Sequence, residues 1–307
     1  QRMDTTAYET NIHYPTDSSL LWDSFRTLSR LVSTIKGESP QLDLQHRFHD
    51  DKVKKLATFI ARNASSKRKN TQREVESRYT TLINRVRWIH GVGLQVCQKA
   101  FAAGYTVEEL SHYLPLVEQI VDKAHRRIIQ GETVPTDEKL YSLFEEHTEL
   151  IIRGKAGKPI EFGHKILLAQ TGEKYIHHYN VMKKRIEDKE LLLPAIEAHK
   201  EMFGEYPHVL STDKGFYESM EQIHSLENII PVVSISKKGR RTQAEYERET
   251  TEEFIDGQHF RAGSEGSISV LKRAFKLGKC FFKGFKNYAA SVGFAVLCHN
   301  LVLLTRL

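Results

Sequence analysis

The chain has 307 residues, 40% of them hydrophobic and 27% charged, with a formal net charge of +6. That balance describes an ordinary globular protein able to bury a substantial core, as one large domain with an insertion or as two domains. Three well-separated cysteines, Cys97, Cys280 and Cys298, with no Cys-x-x-Cys pair, suggest neither a disulfide framework nor a thiolate zinc site and fit a reducing cytoplasm.

Positive charge is concentrated rather than spread. Residues 47–99 hold thirteen Lys and Arg against four Asp and Glu, and residues 266–307 hold seven against none. Two basic tracts of this kind are the footprint of a protein that follows phosphates, or else solvated helix faces.

In chain order, residues 2–11 (RMDTTAYETN) are rich in Thr and Tyr and read as a strand closed by the turn Tyr14-Pro15-Thr16-Asp17. Because the chain starts on a strand and without methionine, further residues are expected before Gln1. Leu20, Leu21, Phe25, Leu28, Leu31, Val32 and Ile35 then recur every three or four residues, which predicts an amphipathic helix with Asp17 or Ser18 as cap and Gly37 as stop. Segments 44–63, 72–103 and 107–130 repeat the pattern, the last with a kink at Pro115, so that 18–137 reads as one helical, basic segment. Trp22 and Trp88 are assigned to its packing, with a hairpin-binding or base-stacking role for Trp88, beside Arg85 and Arg87, as the alternative.

Beyond Pro135 the period shortens. Residues 140–144, 150–153, 160–169 and 175–181 read as strands of an antiparallel meander with Gly-containing turns at 154–157 and 171–172. A helix over 189–203, a strand over 207–212, a short helix over 217–224 and a strand over 230–235 follow, an alternation that builds parallel pairing. A charged segment, 237–253, precedes a helix starting near Gly263 and a final apolar helix. That helix is interrupted by His299 and Asn300 and just short of spanning length, so it is expected in the core and no membrane partner is expected. Gly91-x-Gly93 and 154–158 lack nucleotide-binding spacings, and the fifteen histidines lack metal-ligand spacing.

Asp4 lies near the start of the first strand, and Asp213 ends the strand PHVLST before Lys214-Gly215; each taken alone fits routine strand-end or turn chemistry. Asp17, after Pro15, fits a helix cap. Glu265 belongs to Gln258-x-x-Arg261-x-x-x-Glu265 with Lys272 seven residues on, which puts a carboxylate and a cation on one helical face. Three carboxylates brought together at strand ends and a helix would offer the hard oxygen ligands that two-metal phosphodiester chemistry uses.

This constellation resembles the bacterial insertion-sequence transposases of the DDE type, whose signature around the third carboxylate is Tyr-x-x-Arg-x-x-x-Glu-x-x-x-x-x-x-Lys. The chain matches at Arg261, Glu265 and Lys272 and has Gln258 at the Tyr position. The resemblance extends to Met3-Asp4-Thr5-Thr6 with 9–17, to 154–159 with Glu161-Phe162-Gly163-His164-Lys165, and to Ser211-Thr212-Asp213-Lys214-Gly215. It implies a ribonuclease-H-like α/β fold, a mixed sheet flanked by helices. Residues 1–17 would be the first strand of the core, 18–137 a helical basic insertion and 138–307 the remainder.

It also implies a catalytic, metal-binding trio of Asp4, Asp213 and Glu265 that holds two Mg²⁺ or Mn²⁺ ions, cuts DNA at element ends and joins the freed 3′-hydroxyl to target DNA. A dimer or higher oligomer on double-stranded DNA and a cytoplasmic, nucleoid-associated place follow from the same resemblance; the alternatives are a ribonuclease-H-like DNA nuclease without strand transfer and a decayed transposase derivative that only binds DNA. Arg261, Lys272 and Gln258 are then expected at phosphates, Gln258 through its amide. The turn Lys237-Lys238-Gly239-Arg240-Arg241 either grips DNA or is a solvated surface turn. Phe275, Phe281, Phe282 and Phe285 are expected in the core, with the intervening lysines outward.

Overall fold

The computed structural model describes residues 1–152 and 157–306. Strand β1 (Arg2–Thr10) is followed by helices α1 (Asp17–Glu38), α2 (Asp50–Asn63), α3 (Lys69–Ala102) and α4 (Glu108–Ile128). Strands β2 (Glu149–Ile152), β3 (Ile160–Gln170) and β4 (Ile176–Val181) come next, then α5 (Leu192–Phe203), β5 (Val209–Thr212), α6 (Met220–Glu227) and β6 (Val232–Ile235). Helices α7 (Gln243–Glu249) and α8 (Glu252–Ala274), the two-residue strand β7 (Lys279–Cys280) and α9 (Phe285–Leu304) complete the chain. The chain divides into two compact units: Ile12–Glu146, and Gln1–Asn11 together with His147–Leu307.

The first of these is helical. Thr16, not the expected Asp17 or Ser18, caps α1 in a reciprocal capping box with Ser19, which satisfies backbone donors that a helix start leaves open. The apolar stripe of α1 (Leu21, Phe25, Leu28, Val32) meets Ile60 of α2, Leu82, Val86 and Ile89 of α3, and Val117 and Ile120 of α4, all buried. Each such side chain contributes roughly 1.5–3 kcal/mol by leaving water. Pro115 lies inside α4 without breaking it into two helices. Trp88 is more open than expected at 39%, packing against Phe48 and His46 at the surface of this core.

In the second unit the strands form one mixed sheet flanked by helices, in the order β2-β3-β1-β5-β6, with β4 also beside β3 and β7 beside β1. β1 runs antiparallel to β3 and parallel to β5, and β5 is parallel to β6. Successive strand residues face opposite sides. Thus Leu167 and Ala169 of β3 join Met3 against α5 and α6, through Leu192, Ile196 and Ile223. Ile166 and Leu168 join Tyr8 on the other side, against Leu271, Tyr288 and Val292 of α8 and α9. A strand buried on both faces needs the near-continuous apolar run that ILLA supplies.

Four expectations are corrected. Residues 140–144 are not a strand: Ser142 Oγ accepts from the N–H groups of Phe144 and Glu145, a local turn that competes with any ladder. Helix α8 begins at Glu252 rather than near Gly263, because Thr251 caps it and Glu252 and Glu253 suit its first turn. Phe281 and Phe282 are 71% and 62% exposed, not in the core. Helix α9, long and apolar enough by length and composition to cross a membrane, buries Tyr288, Val292, Ala295, Val296 and His299 but leaves Phe294, Leu297 and Leu301 open to solvent. The expected end of a strand at Arg153 and the turn residues 154–156 lie outside the described residues.

Candidate functional site

Asp4 and Asp213 owe their proximity to strand register. Arg2 of β1 pairs with Ser211 of the parallel strand β5, and two further residues along each strand reach Asp4 and Asp213. Neighbouring strands lie about 4.8 Å apart. At this point β5 ends and Asp213 turns the chain into the short 3-10 segment Lys214–Phe216, its Oδ1 accepting from Gly215 N at 2.8 Å. By strand parity Asp4 faces the same side as Tyr8, the side that α8 covers.

Helix α8 is fixed there by small residues and side-chain bonds. Gly257 lies so close to Ser234 of β6 that a Cβ there would be 2.4 Å from the Ser234 Cβ. Ser211 Oγ donates to the Gly257 carbonyl at 2.5 Å and Ser234 Oγ to the Phe254 carbonyl at 2.8 Å. From the other end Arg2, buried on β1, donates to the Phe260 carbonyl at 3.0 Å and sits under Gly263, where a Cβ would lie 2.1 Å from its Nη1. These contacts fix the rotation of α8 and so the direction of Arg261 and Glu265.

The carboxyl of Asp4 is pushed up to about 6, by burial first and then by the charge of Asp213; the Thr5 N–H and Arg261 oppose this, and Glu265 adds to it. Asp4 therefore feels the charges of Asp213, Arg261 and Glu265. Glu265 is 69% exposed and pairs with Arg261 one turn earlier on α8 at 3.7 Å. The three carboxylates offer the oxygen ligands a hard dication prefers, and the mutual repulsion of Asp4 and Asp213 is what such an ion relieves. As their side chains stand, no three His, Cys, Asp or Glu among the described residues are grouped closely enough to hold a metal ion.

A fourth carboxylate, Asp188, had no signal in the sequence. Its Oδ1 pairs with Lys165 of β3 at 2.8 Å. A Cβ on Gly215 would lie 2.9 Å from both Asp188 Oδ2 and Asp213 Oδ1, so two carboxylates flank this glycine and any larger residue there would intrude on them. Lys165 balances part of that charge.

The other expected DNA contacts are distributed unevenly. The Gln258 amide donates to the Ser234 carbonyl at 2.7 Å and to Ser234 Oγ at 3.0 Å, within the protein. Lys237 pairs with the buried Glu245 at 2.6 Å and Arg241 with Glu249 at 2.8 Å. Lys238 and Arg240 are exposed and, among the described residues, make no ion pair, which leaves two of the four cations of that turn facing outward. Lys272 lies half-buried near the C-terminal end of α8. His164 is buried, held at 2.8 Å from His147, and pushed down to about 4 by burial and by the neighbouring imidazole, as a packed neutral histidine should be.

The chain matches no protein-family model, no curated protein and no solved structure.

Proposed function

We propose that this chain is a divalent-metal-dependent DNA transposase of the DDE type, with a ribonuclease-H-like core and residues 18–137 as its helical insertion. The observation that carries the reading is the register that sets Asp4 of β1 beside Asp213 at the end of β5, with Glu265 of α8 near enough for its charge to act on Asp4. The strand order, with an antiparallel β3-β1 pair continued by parallel β5 and β6, supports the same reading. So does the passage of the chain through a separate helical unit between β1 and β2.

Asp4, Asp213 and Glu265 would hold Mg²⁺ or Mn²⁺, two ions by the family resemblance. When bound, such ions supply activation of a water or 3′-hydroxyl and stabilise charge on the leaving oxygen. The chain's own residues set that chemistry up. Gly215 N–H orients Asp213, and Arg261 restrains Glu265 until a cation competes for it. Lys272, on the same α8 face, and the outward Lys238 and Arg240 would hold phosphates of double-stranded DNA, at element ends and at the target. Assembly on DNA as a dimer or larger, in the cytoplasm at the nucleoid, belongs to this reading.

The test is strand transfer with pre-cut element-end DNA in Mg²⁺ or Mn²⁺. Joined products that vanish in Asp213→Ala and Glu265→Ala are expected. Hydrolysis without joining would identify a nuclease on the same core, and cleavage that survives both substitutions would overturn the site.

A further inference from the structure

Between the end of α8 and the first half of α9 lies a cleft of about 530 Å³, lined by Phe281, Phe282, Phe294, Lys276, Lys279 and Asn287 among others. Its volume falls within the roughly 300–1,000 Å³ of small-molecule sites. Phe281, Phe282 and Phe294 are 71%, 62% and 69% exposed, whereas Phe25 and Phe216 are fully buried. Three open aromatic rings around one concavity are more apolar surface than scattered exposure explains.

The aromatic pair is held rather than loose. Lys279 and Cys280 form β7 beside Glu9 and Thr10 of β1. Cys280 Sγ donates to the Phe282 carbonyl at 3.6 Å and contacts Ser291 Oγ at 3.8 Å, and Ser291 bonds Tyr8 at 3.0 Å. At the rim Lys276, Lys279, Lys283 and Lys286 are exposed and, among the described residues, form no ion pair. The segment from residue 266 to 307 that carries them has no Asp or Glu.

We propose that this cleft takes an unpaired nucleobase of a DNA strand, stacked on Phe281 or Phe282, with Lys276 and Lys279 on the flanking phosphates. Charge complementarity selects an anionic occupant, and the rings select one with an accessible π-face. A paired base in duplex DNA hides that face, whereas an unpaired one offers it. The concavity suits a flat ring better than a bilayer surface, which needs a protruding face. Taking DNA as the anion rests on the transposase reading; the stacking geometry does not.

The experiment uses the full chain without divalent ions and follows the anisotropy of a fluorescein-labelled 20-nucleotide single strand and of its duplex. Phe281→Ala with Phe282→Ala should weaken single-strand binding by about 5-fold or more for each lost stack, with the duplex nearly unaffected. Phe281→Trp with Phe282→Trp should retain it. Lys276→Gln with Lys279→Gln should weaken both forms and reduce the salt dependence by about one counterion per lysine. Unchanged single-strand affinity in the alanine variant overturns the proposal. So does finding that this variant instead loses self-association in sedimentation, or binding to phosphatidylserine vesicles, with DNA binding intact. If strand transfer holds while the phenylalanine variants bind normally, only the cleft assignment fails; if the chain binds neither DNA form, both fail.

Discussion

Gln258 and Ser234 are joined by a 2.7 Å bond from the side-chain amide to the backbone carbonyl, and this bond ties α8 to the end of β6. The same amide reaches Ser234 Oγ at 3.0 Å. A residue expected to touch phosphate thus donates inward, at the position where the resembling family has Tyr. Because Ser234 is fully buried, Gln258→Leu would strip a partner from buried polar atoms and should cost about 1–3 kcal/mol in urea unfolding. Glu265 rides on the helix so anchored, so under the proposed function the variant should also lose strand transfer at temperatures where it remains folded. A variant as stable as the parent would show that the bond does not hold α8.

Asp4 carries a sign-defined pH signature. Its folded value of about 6 stands above the ordinary 3.8. The folded state therefore binds more protons than the unfolded state between those values, and this group's contribution to stability falls as pH rises through the window. Asp4→Asn should remove that fall, seen as a difference in stability between pH 4 and pH 7 relative to the parent. Asp213→Asn should lower the Asp4 midpoint in a carbon-detected NMR titration, because it removes the like charge. An Asp4 midpoint near 3.8, unmoved by Asp213→Asn, would separate the two carboxyls.

Much of the helical unit was legible because its signal is a 3.6-residue period: a helix was expected over 18–37 and α1 runs Asp17–Glu38. The start of α8 was obscured for a physical reason. Gly257, Gly263 and Gly266 lower helix propensity, yet the first two are required where α8 meets Ser234 and Arg2. Local preference and tertiary packing oppose each other there, and packing wins. Of the candidate site, Asp4, Asp213 and Glu265 are proposed from motifs alone. Asp188 could not be, since its place beside Gly215 arises from two chain segments meeting in space. The exposure of Phe281 and Phe282 was equally hidden, because composition cannot tell a core phenylalanine from a surface one.

Gly163 of β3 lies against the backbone of β1 at Tyr8 and Glu9. A Cβ at this position would lie 2.0 Å from the Tyr8 carbonyl oxygen, a backbone atom that cannot rotate away. Tyr8 O also accepts from the buried Tyr288 hydroxyl, so displacing β1 disturbs the α9 contact as well. Gly163→Ala should therefore destabilise by about 3 kcal/mol or more, at the upper end of overpacking effects. Thermal unfolding by circular dichroism decides it: an unchanged midpoint would mean that β1 and β3 separate without cost.

Lys123 in the helical unit is 7% exposed, and its Nζ has no hydrogen-bond partner among the described residues. Burial is the main reason its ammonium is held down to about 8, below the ordinary 10.5, with Glu138 and Asp122 opposing the shift. Between those values the unfolded chain binds the extra proton, so this group's contribution makes stability rise with pH across the window. Lys123→Met keeps the stem that packs on the helical core and removes the unsatisfied charge. The variant should be more stable than the parent at pH 7, with the advantage shrinking toward pH 10, when both are unfolded in urea. A less stable variant at pH 7 would show that the ammonium has found a partner such as an ordered water, and that its burial is compensated.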